Sequence, residues 1–350
     1  MAATPNYIVT TGDFIAEWME EAGINAAELA RRLDVTPKHV SELLSGKAPL
    51  SAHLALALER VTGVPARLWN IYEAGYREDL ARQETVEALD AQYEQATAFP
   101  LGYLRKFAFI KAPARDHAGT VRELLTLLGV ASFDAWHATW TRGSVAYRRT
   151  AAGREDAPAL SVWLTIAERE ADPESLATYD DAALREIVPR LRALTVSDPA
   201  SSVAEAARLL REVGVALCFV PAVPGLGIHG ATRWIAGHPV IQLSLLWECD
   251  DQLWFTLFHE LGHVLLHSSK ELFLLGQHTT AESEADAYAS RLLVPDEYVA
   301  RLPLERNLAA IEALASELGI APSIVLGQAQ HETRDYAWGH SLRRKVDFSG

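Results

Sequence analysis

Two cysteines in 350 residues, Cys218 and Cys249, are too few for a disulfide framework, and their spacing is not that of a zinc ribbon. Long apolar runs are missing as well. The stretches that come closest, such as Val213–Pro224, are interrupted by proline and fall short of the roughly 18 residues of a membrane span. Residues 1–14 have neither the basic nor the apolar region of a secretory signal. An excess of basic residues is also absent. Lys and Arg total 32 against 46 Asp and Glu, a net charge of −14, which excludes a surface that binds nucleic acid over its whole extent but not one adapted face. No internal repeat or low-complexity tract occurs. What is present, 49% hydrophobic and 22% charged residues, is the composition of an ordinary globular protein and not of a disordered chain. At roughly 100–200 residues per domain, two or three domains are expected. The expected setting is the cytoplasm, with no membrane association.

The first 80 residues read as consecutive short helices. Asn25 and Glu28 have the spacing of a capping box, followed by an apolar stripe of Leu29, Ala30 and Leu33. After the turn Asp34–Val35, Thr36 and Pro37 start a second helix through Val40, Leu43 and Leu44 that stops at Gly46. Ser51 caps a third, with Leu54, Leu56, Leu58 and Val61 as apolar positions, and Pro65–Ala96 continues helical. Farther on, Gly119–Leu128 and Asp181–Leu194 are expected helices, the latter with a break or kink at Pro189. Gly143–Arg149 and Leu160–Trp163 are expected to be irregular or short strands, and Ser197–Ser202 is a candidate boundary. Beyond it the pattern predicts helix Val203–Val213, strands Val215–Val220, Gly227–Trp234 and Pro239–Ser244, and helices Asp250–Leu266 and Glu282–Leu293. That is an α+β arrangement, a small sheet packed on helices.

The strongest chemical signal is Phe258-His-Glu-Leu-Gly-His-Val-Leu265. His259 and His263 are four apart, so a helix sets both imidazoles on one face, as a shared metal ion requires. Glu260, beside the first of them, is the candidate catalytic base that takes a proton from water. Apolar neighbours from Trp254 to Leu266 make this a buried helix, where His and Glu without partners would be costly. Downstream, Glu282 and Asp286 share a helix face while Glu284 points elsewhere. Glu282 is assigned as third metal ligand and Asp286 as the acceptor that orients a ligand imidazole. Three protein ligands leave one coordination position open, the mark of a catalytic site. The expected cofactor is one Zn2+ per chain, although ligand type alone does not exclude another divalent ion. The expected reaction is peptide-bond hydrolysis. Its proton donor to the oxyanion is left open among His267, His278, Tyr288 and His331.

These motifs, with Val240–Ser244, Leu292-Leu-Val-Pro295 and Ile320–Glu332, resemble the ImmA/IrrE metallopeptidases from about Ser202 to the C-terminus. The resemblance implies a zincin-like fold, His259, His263 and Glu282 as zinc ligands, and Glu260 as base. It also implies a helix-turn-helix repressor or antitoxin as substrate, in phage, mobile-element, stress or toxin-antitoxin regulation. Leu246 stands where a basic residue is common in that family, which leaves substrate contacts on that side open.

Near the N-terminus, Glu28-Leu-Ala30, Val35, Val40 and Leu44-Ser-Gly-Lys47 resemble the helix-turn-helix of the Xre class, particularly HigA-like antitoxins, over about Gly12–Ala81. Asp34 holds the turn position usually occupied by glycine, and aspartate tolerates left-handed geometry better than most residues. The second helix would enter the major groove of a double-stranded DNA operator, with Lys38, His39, Ser41 and Glu42 as candidate base or phosphate contacts and Thr36 and Lys47 toward phosphates. Residues 1–80 hold seven Lys and Arg against eleven Asp and Glu, so weak, salt-sensitive binding is expected, which a homodimer would strengthen by adding a second half-site. The module could instead bind a protein or only pack.

The expected architecture is thus multidomain and mainly α: an all-α helix-turn-helix domain over 1–81, a helical connector over 82–201, and an α+β zincin-like domain over 202–350. In the connector, Tyr147-Arg-Arg149 and Ser161–Leu164 resemble patterns that recur in long members of this fused architecture, with packing as their expected role. Two functions fit. One is a zinc endopeptidase and transcriptional regulator. The other is a DNA-binding regulator whose zincin domain is a non-catalytic sensor. The intact Glu260 favours the first.

Overall fold

The computed structural model describes residues 9–142, 156–244, 249–267, 273–274, 279–303 and 305–346. The described residues are mainly helical, with one small sheet in the C-terminal part of the chain. Its contacts divide the chain into two compact units, Met1–Glu94 with Pro113–Arg122 and Gln95–Ala112 with Glu123–Gly350.

The first unit is built from α1 (Thr11–Glu21), α2 (Ala26–Leu33), α3 (Pro37–Leu44), α4 (Ala52–Thr62) and α5 (Ala66–Asp90). Leu29, Ala30 and Leu33 of α2 face a core shared with Ile15, Val40, Leu43, Leu58 and Trp69. Each buried aliphatic side chain there contributes about 1.5–3 kcal/mol. Leu56 is the exception among the apolar positions expected on the third of these segments: it is 48% exposed, because the core takes Leu54, Ala55 and Leu58 from α4. The Asn25 carboxamide caps α2 by accepting the Glu28 N–H at 2.9 Å, but the return bond of a capping box is not made. Glu28 turns to Arg31 and Arg32 instead. A complete box occurs at Thr10 and Asp13, ahead of α1. The Thr36 hydroxyl accepts the His39 N–H at 3.2 Å, which leaves Pro37 in the first turn, where its missing N–H costs nothing. Between α2 and α3, Asp34 adopts φ 56° and ψ 44°. A β-branched side chain is strained there, so Asp34→Val is expected to lower stability by about 1–2 kcal/mol and Asp34→Gly to leave it nearly unchanged, read by urea unfolding of the full chain. Gly12 lets α1 touch α3: a Cβ there would lie 2.1 Å from the Leu44 carbonyl oxygen.

The chain continues through α6 (Tyr93–Ala96), α7 (Leu101–Lys106), α8 (His117–Leu128), α9 (Phe133–Arg142), α10 (Ala157–Ala171), α11 (Asp181–Ala193) and α12 (Pro199–Glu212). One expectation fails here. Leu160–Trp163 is neither strand nor irregular but the heart of α10, started by Asp156 and Pro158 and buried on almost every side, which masks the helical period. Pro189 does not break α11; it lies on the exposed side, where the carbonyl it frees can be hydrated. The segment Gly143–Arg149, with Tyr147, Arg148 and Arg149, lies outside the described residues.

The sheet follows, from β1 (Ala216–Val220), β2 (Gly230–Ile235) and β3 (His238–Ser244). Then come α13 (Asp250–Leu266), the two-residue β4 (Phe273–Leu274), α14 (Thr280–Leu293), α15 (Asp296–Val299), α16 (Leu308–Leu318) and α17 (Pro322–Thr333). The strand order is β1-β3-β2-β4, with β1 parallel to β3 and the other pairs antiparallel. Helix α10 packs on this sheet, where the Gln242 amide donates to the Trp163 carbonyl at 2.7 Å and the Cys218 thiol to that of Ala167 at 3.6 Å. On α13, Leu253, Trp254, Leu257, Phe258 and Leu261 enter a core shared with α12, α14, α16 and α17. Two buried acids begin α13, favourably placed at a helix N-terminus. Asp250 accepts from Arg344 Nε at 2.7 Å and from Ser323, and Asp251 from Arg343 Nε at 2.9 Å, so residues near the C-terminus fasten this helix. Among the described residues no single helix is long and apolar enough to cross a membrane.

Candidate metal centre

Helix α13 sets His259 and His263 one turn apart, and α14 sets Glu282 and Asp286 one turn apart. Small residues bring the two helices together. A Cβ on Gly262 would lie 3.1 Å from Ala285 Cα and 3.2 Å from Tyr288 Cδ1, and Ala285 and Ala289 are fully buried. The result is convergence. The two imidazole Nε2 atoms are 3.0 Å apart, and the Glu282 carboxylate reaches His259 Nε2 at 3.4 Å and His263 Nε2 at 3.1 Å. His259, His263 and Glu282 are 0%, 1% and 5% exposed, and all their donor atoms lie within 4.8 Å of one another.

The outward nitrogens are also engaged. His259 Nδ1 pairs with Asp286 Oδ1 at 2.8 Å. A proton on Nδ1 satisfies this carboxylate and leaves the Nε2 lone pair facing inward. His263 Nδ1 lies 3.0 Å from His267 Nδ1, and His267 Nε2 lies 2.9 Å from Glu284 Oε2. If His267 donates to Glu284, it accepts from His263, and the second Nε2 lone pair also faces inward. Two inward imidazole nitrogens and a carboxylate, buried together, form a donor set that suits zinc. Burial alone would raise the Glu282 carboxyl, but its bonds to His259 and His263 hold it down at about 2. Burial likewise lowers His263, while Asp286, Glu282 and Glu260 overcome burial at His259 and raise it to about 9.

Glu260 is fully buried beside this set. The Thr232 hydroxyl of β2 donates to its Oε2 at 2.7 Å, while Oε1 has no hydrogen-bond partner. Burial pushes this carboxyl up to about 8, against the lowering effects of the His259 charge and the Thr232 bond. Gly230 makes room for it: a Cβ there would lie 2.3 Å from Oε1. Neither Thr232 nor Gly230 carries a sequence signal, since both reach the site through sheet packing. Glu284, set aside by helical spacing, belongs to it through His267, which the histidine run His259, His263, His267 at intervals of four could have suggested.

Of the residues considered as proton donors, His267 has both ring nitrogens engaged as described, and Tyr288 is half-buried against Gly262. His331 lines a cavity of about 440 Å3 that also touches Phe255, Thr256 and Asp286. His278 and Leu246 lie outside the described residues. In the first unit Thr36, Lys38, Ser41 and Lys47 are exposed at α3 and the turn after it, with His39 and Glu42 half-buried and Lys38 paired to Glu42 at 3.7 Å.

Comparison with known proteins agrees with both halves. Residues 15–69 match the helix-turn-helix family model, and residues 226–326 match that of the IrrE N-terminal-like domain. A stretch of 58 residues, 17% of the chain, is 36% identical to the uncharacterized HTH-type transcriptional regulator YddM of Escherichia coli (strain K12), and covers 62% of that protein's length. The chain is thus similar to helix-turn-helix proteins near its N-terminus and to IrrE N-terminal-like domains toward its C-terminus.

Proposed function

We propose that the C-terminal part of the chain is a zinc-dependent endopeptidase and that the helix-turn-helix domain carries it to a DNA operator. The observation that supports this is the convergence of His259, His263 and Glu282 in one buried pocket with the Glu260 carboxylate alongside. Zinc held by those three residues supplies a Lewis acid that polarises a peptide carbonyl and acidifies water. Glu260 accepts the proton of the attacking water and passes it to the departing amine. Burial raises this carboxyl in the metal-free protein, and a bound dication would counter that shift and favour the ionised form that a base needs. Thr232 holds its other oxygen in place, and Asp286 and the His267–Glu284 pair hold the ligand imidazoles in orientation. Asp286→Asn is expected to weaken zinc binding about 10–100-fold in a chelator competition.

The substrate class that fits the fused architecture is a helix-turn-helix repressor or antitoxin, since DNA binding raises the effective concentration of enzyme beside a DNA-bound substrate. The first test is hydrolysis of a proteome-derived peptide mixture by zinc-loaded protein, read by mass spectrometry. New termini produced by the parent and not by metal-stripped protein support the peptidase; the same termini from both overturn it. For the N-terminal domain, affinity for duplex DNA is expected to fall steeply with salt, and Lys47→Ala to reduce the slope of log K against log salt by about one. An unchanged slope removes Lys47 from the phosphate contacts.

A further inference from the structure

Helix α5 is 25 residues long, yet its buried residues are Ala66, Trp69 and Glu73, all near its start. From Ala74 to Asp90 none is buried. The side turned away from the core is patterned. Arg67, Ile71, Ala74 and Glu78 recur at intervals of four, three and four, so at about 100° per residue they form one stripe, roughly half a turn from Trp69 and Glu73. All four are exposed, and Ile71, at 55%, is the most exposed large apolar side chain among the described residues.

The charges at the two ends of this stripe are incompletely matched within the chain. Arg67 has no hydrogen-bond or ion-pair partner among the described residues. Glu78 takes both of its bonds from Arg82 on Oε1, from Nη2 at 2.5 Å and from Nε at 3.1 Å, and its Oε2 has no partner among the described residues. A stripe with a cation at one end, an anion at the other and an apolar pair between them is complementary to itself. A two-fold axis passing between Tyr72 and Glu73 lays two such helices antiparallel. It sets Arg67 against the partner's Glu78 and Ile71 against the partner's Ala74, and each pair occurs twice. Parallel helices would oppose like charges instead. Ala74 is small, and a Cβ on the neighbouring Gly75 would meet nothing within 4 Å, so Ile71 has room to seat. A second copy also answers a need of the N-terminal unit. Residues 1–80 hold eleven acids against seven bases, so one copy holds phosphates weakly and a second half-site brings a large gain.

We propose that this stripe of α5 is the face through which two copies of the chain pair, with the Arg67–Glu78 couples fixing direction and register. The pairing is independent of the peptidase reading. A single helix pair makes a small interface, so the dimer is weak in the absence of DNA. Sedimentation velocity of the full-length protein from about 1 µM to roughly 0.3 mM tests it. The expected result is a shift from the mass of one chain toward that of two as concentration rises. Arg67→Glu and Glu78→Arg each turn two attractive pairs repulsive and weaken the dimer about tenfold. Ile71→Asp abolishes it. Because each single variant supplies the sign that the other lacks, an equimolar mixture of Arg67→Glu and Glu78→Arg proteins associates again, and the protein carrying both substitutions dimerises within about threefold of the parent. Circular dichroism of each variant checks that α5 is intact. If Glu78→Arg loses helix along with its bond to Arg82, Arg67→Glu, in the first turn where an acid is favourable, and Ile71→Asp decide the matter. A parent that stays monomeric over the whole range overturns the proposal. So does a dimer indifferent to these variants, or a mixture and a folded double variant that associate no better than the single ones.

Discussion

Glu260→Gln is expected to lower peptide hydrolysis by a factor of about 10²–10⁴, with zinc content unchanged at about one per chain. Glutamine has nearly the same shape, and its amide oxygen can still accept from Thr232, which reaches the carboxylate at 2.7 Å. What it loses is the capacity to take and return a proton. Activity measurements and metal analysis on the same preparation separate this from a folding defect. Unchanged hydrolysis would exclude Glu260 as the base, while absence of hydrolysis from parent and variant alike, with zinc in place, would favour a sensor. The same substitution has a signature in stability. In metal-stripped protein burial raises Glu260 from 4.5 to about 8, so between these values the folded chain holds a proton that the unfolded chain has released. Stability therefore falls as pH rises through that window, and the Gln variant is expected to lack this part of the slope. Urea unfolding of both proteins at several pH values across the window checks it.

Glu282→Ala is expected to reduce bound zinc from about one per chain to well below half after dialysis, a larger effect than the 10–100-fold of an outer partner such as Asp286. The carboxylate faces both imidazoles, at 3.4 and 3.1 Å, so its removal leaves two nitrogens with no third donor. Added zinc should stabilise the parent by about 2.7 kcal/mol at a hundredfold excess over its dissociation constant, and the variant much less. Thermal unfolding with and without zinc reads this without any substrate. A variant that still holds one tight zinc would mean that another group completes the site.

Much of the centre is legible along the chain because helical spacing is local. Residues four apart share a face whatever surrounds them, so His259 with His263 and Glu282 with Asp286 could each be paired before any fold was known. The caps Asn25 and Thr36, the left-handed Asp34 and the three longer strands are local in the same sense. Local reasoning fails where burial is uniform or partners are distant. Leu160–Trp163 is buried on all sides and shows no helical period, and β4 has only two residues. Helical spacing sets Glu284 aside because its face differs from that of Glu282, yet His267, the extended residue that follows α13, reaches it.

The sequence by itself determined the chemistry available to this protein: two histidines and an acid on one helix, two acids in register on another, and a helix-turn-helix at the other end of the chain. Only the tertiary structure decided how those groups meet. Gly262 and Ala285 let the two helices approach closely enough for Glu282 to face both imidazoles. Thr232 arrives from a strand to hold Glu260, and Asp251, Gly327 and Arg343 enclose a cavity although they are far apart in the chain. The physical reason is that a helix dictates spacing within itself, whereas distances between elements follow from which small residues and buried charges the packing brings together.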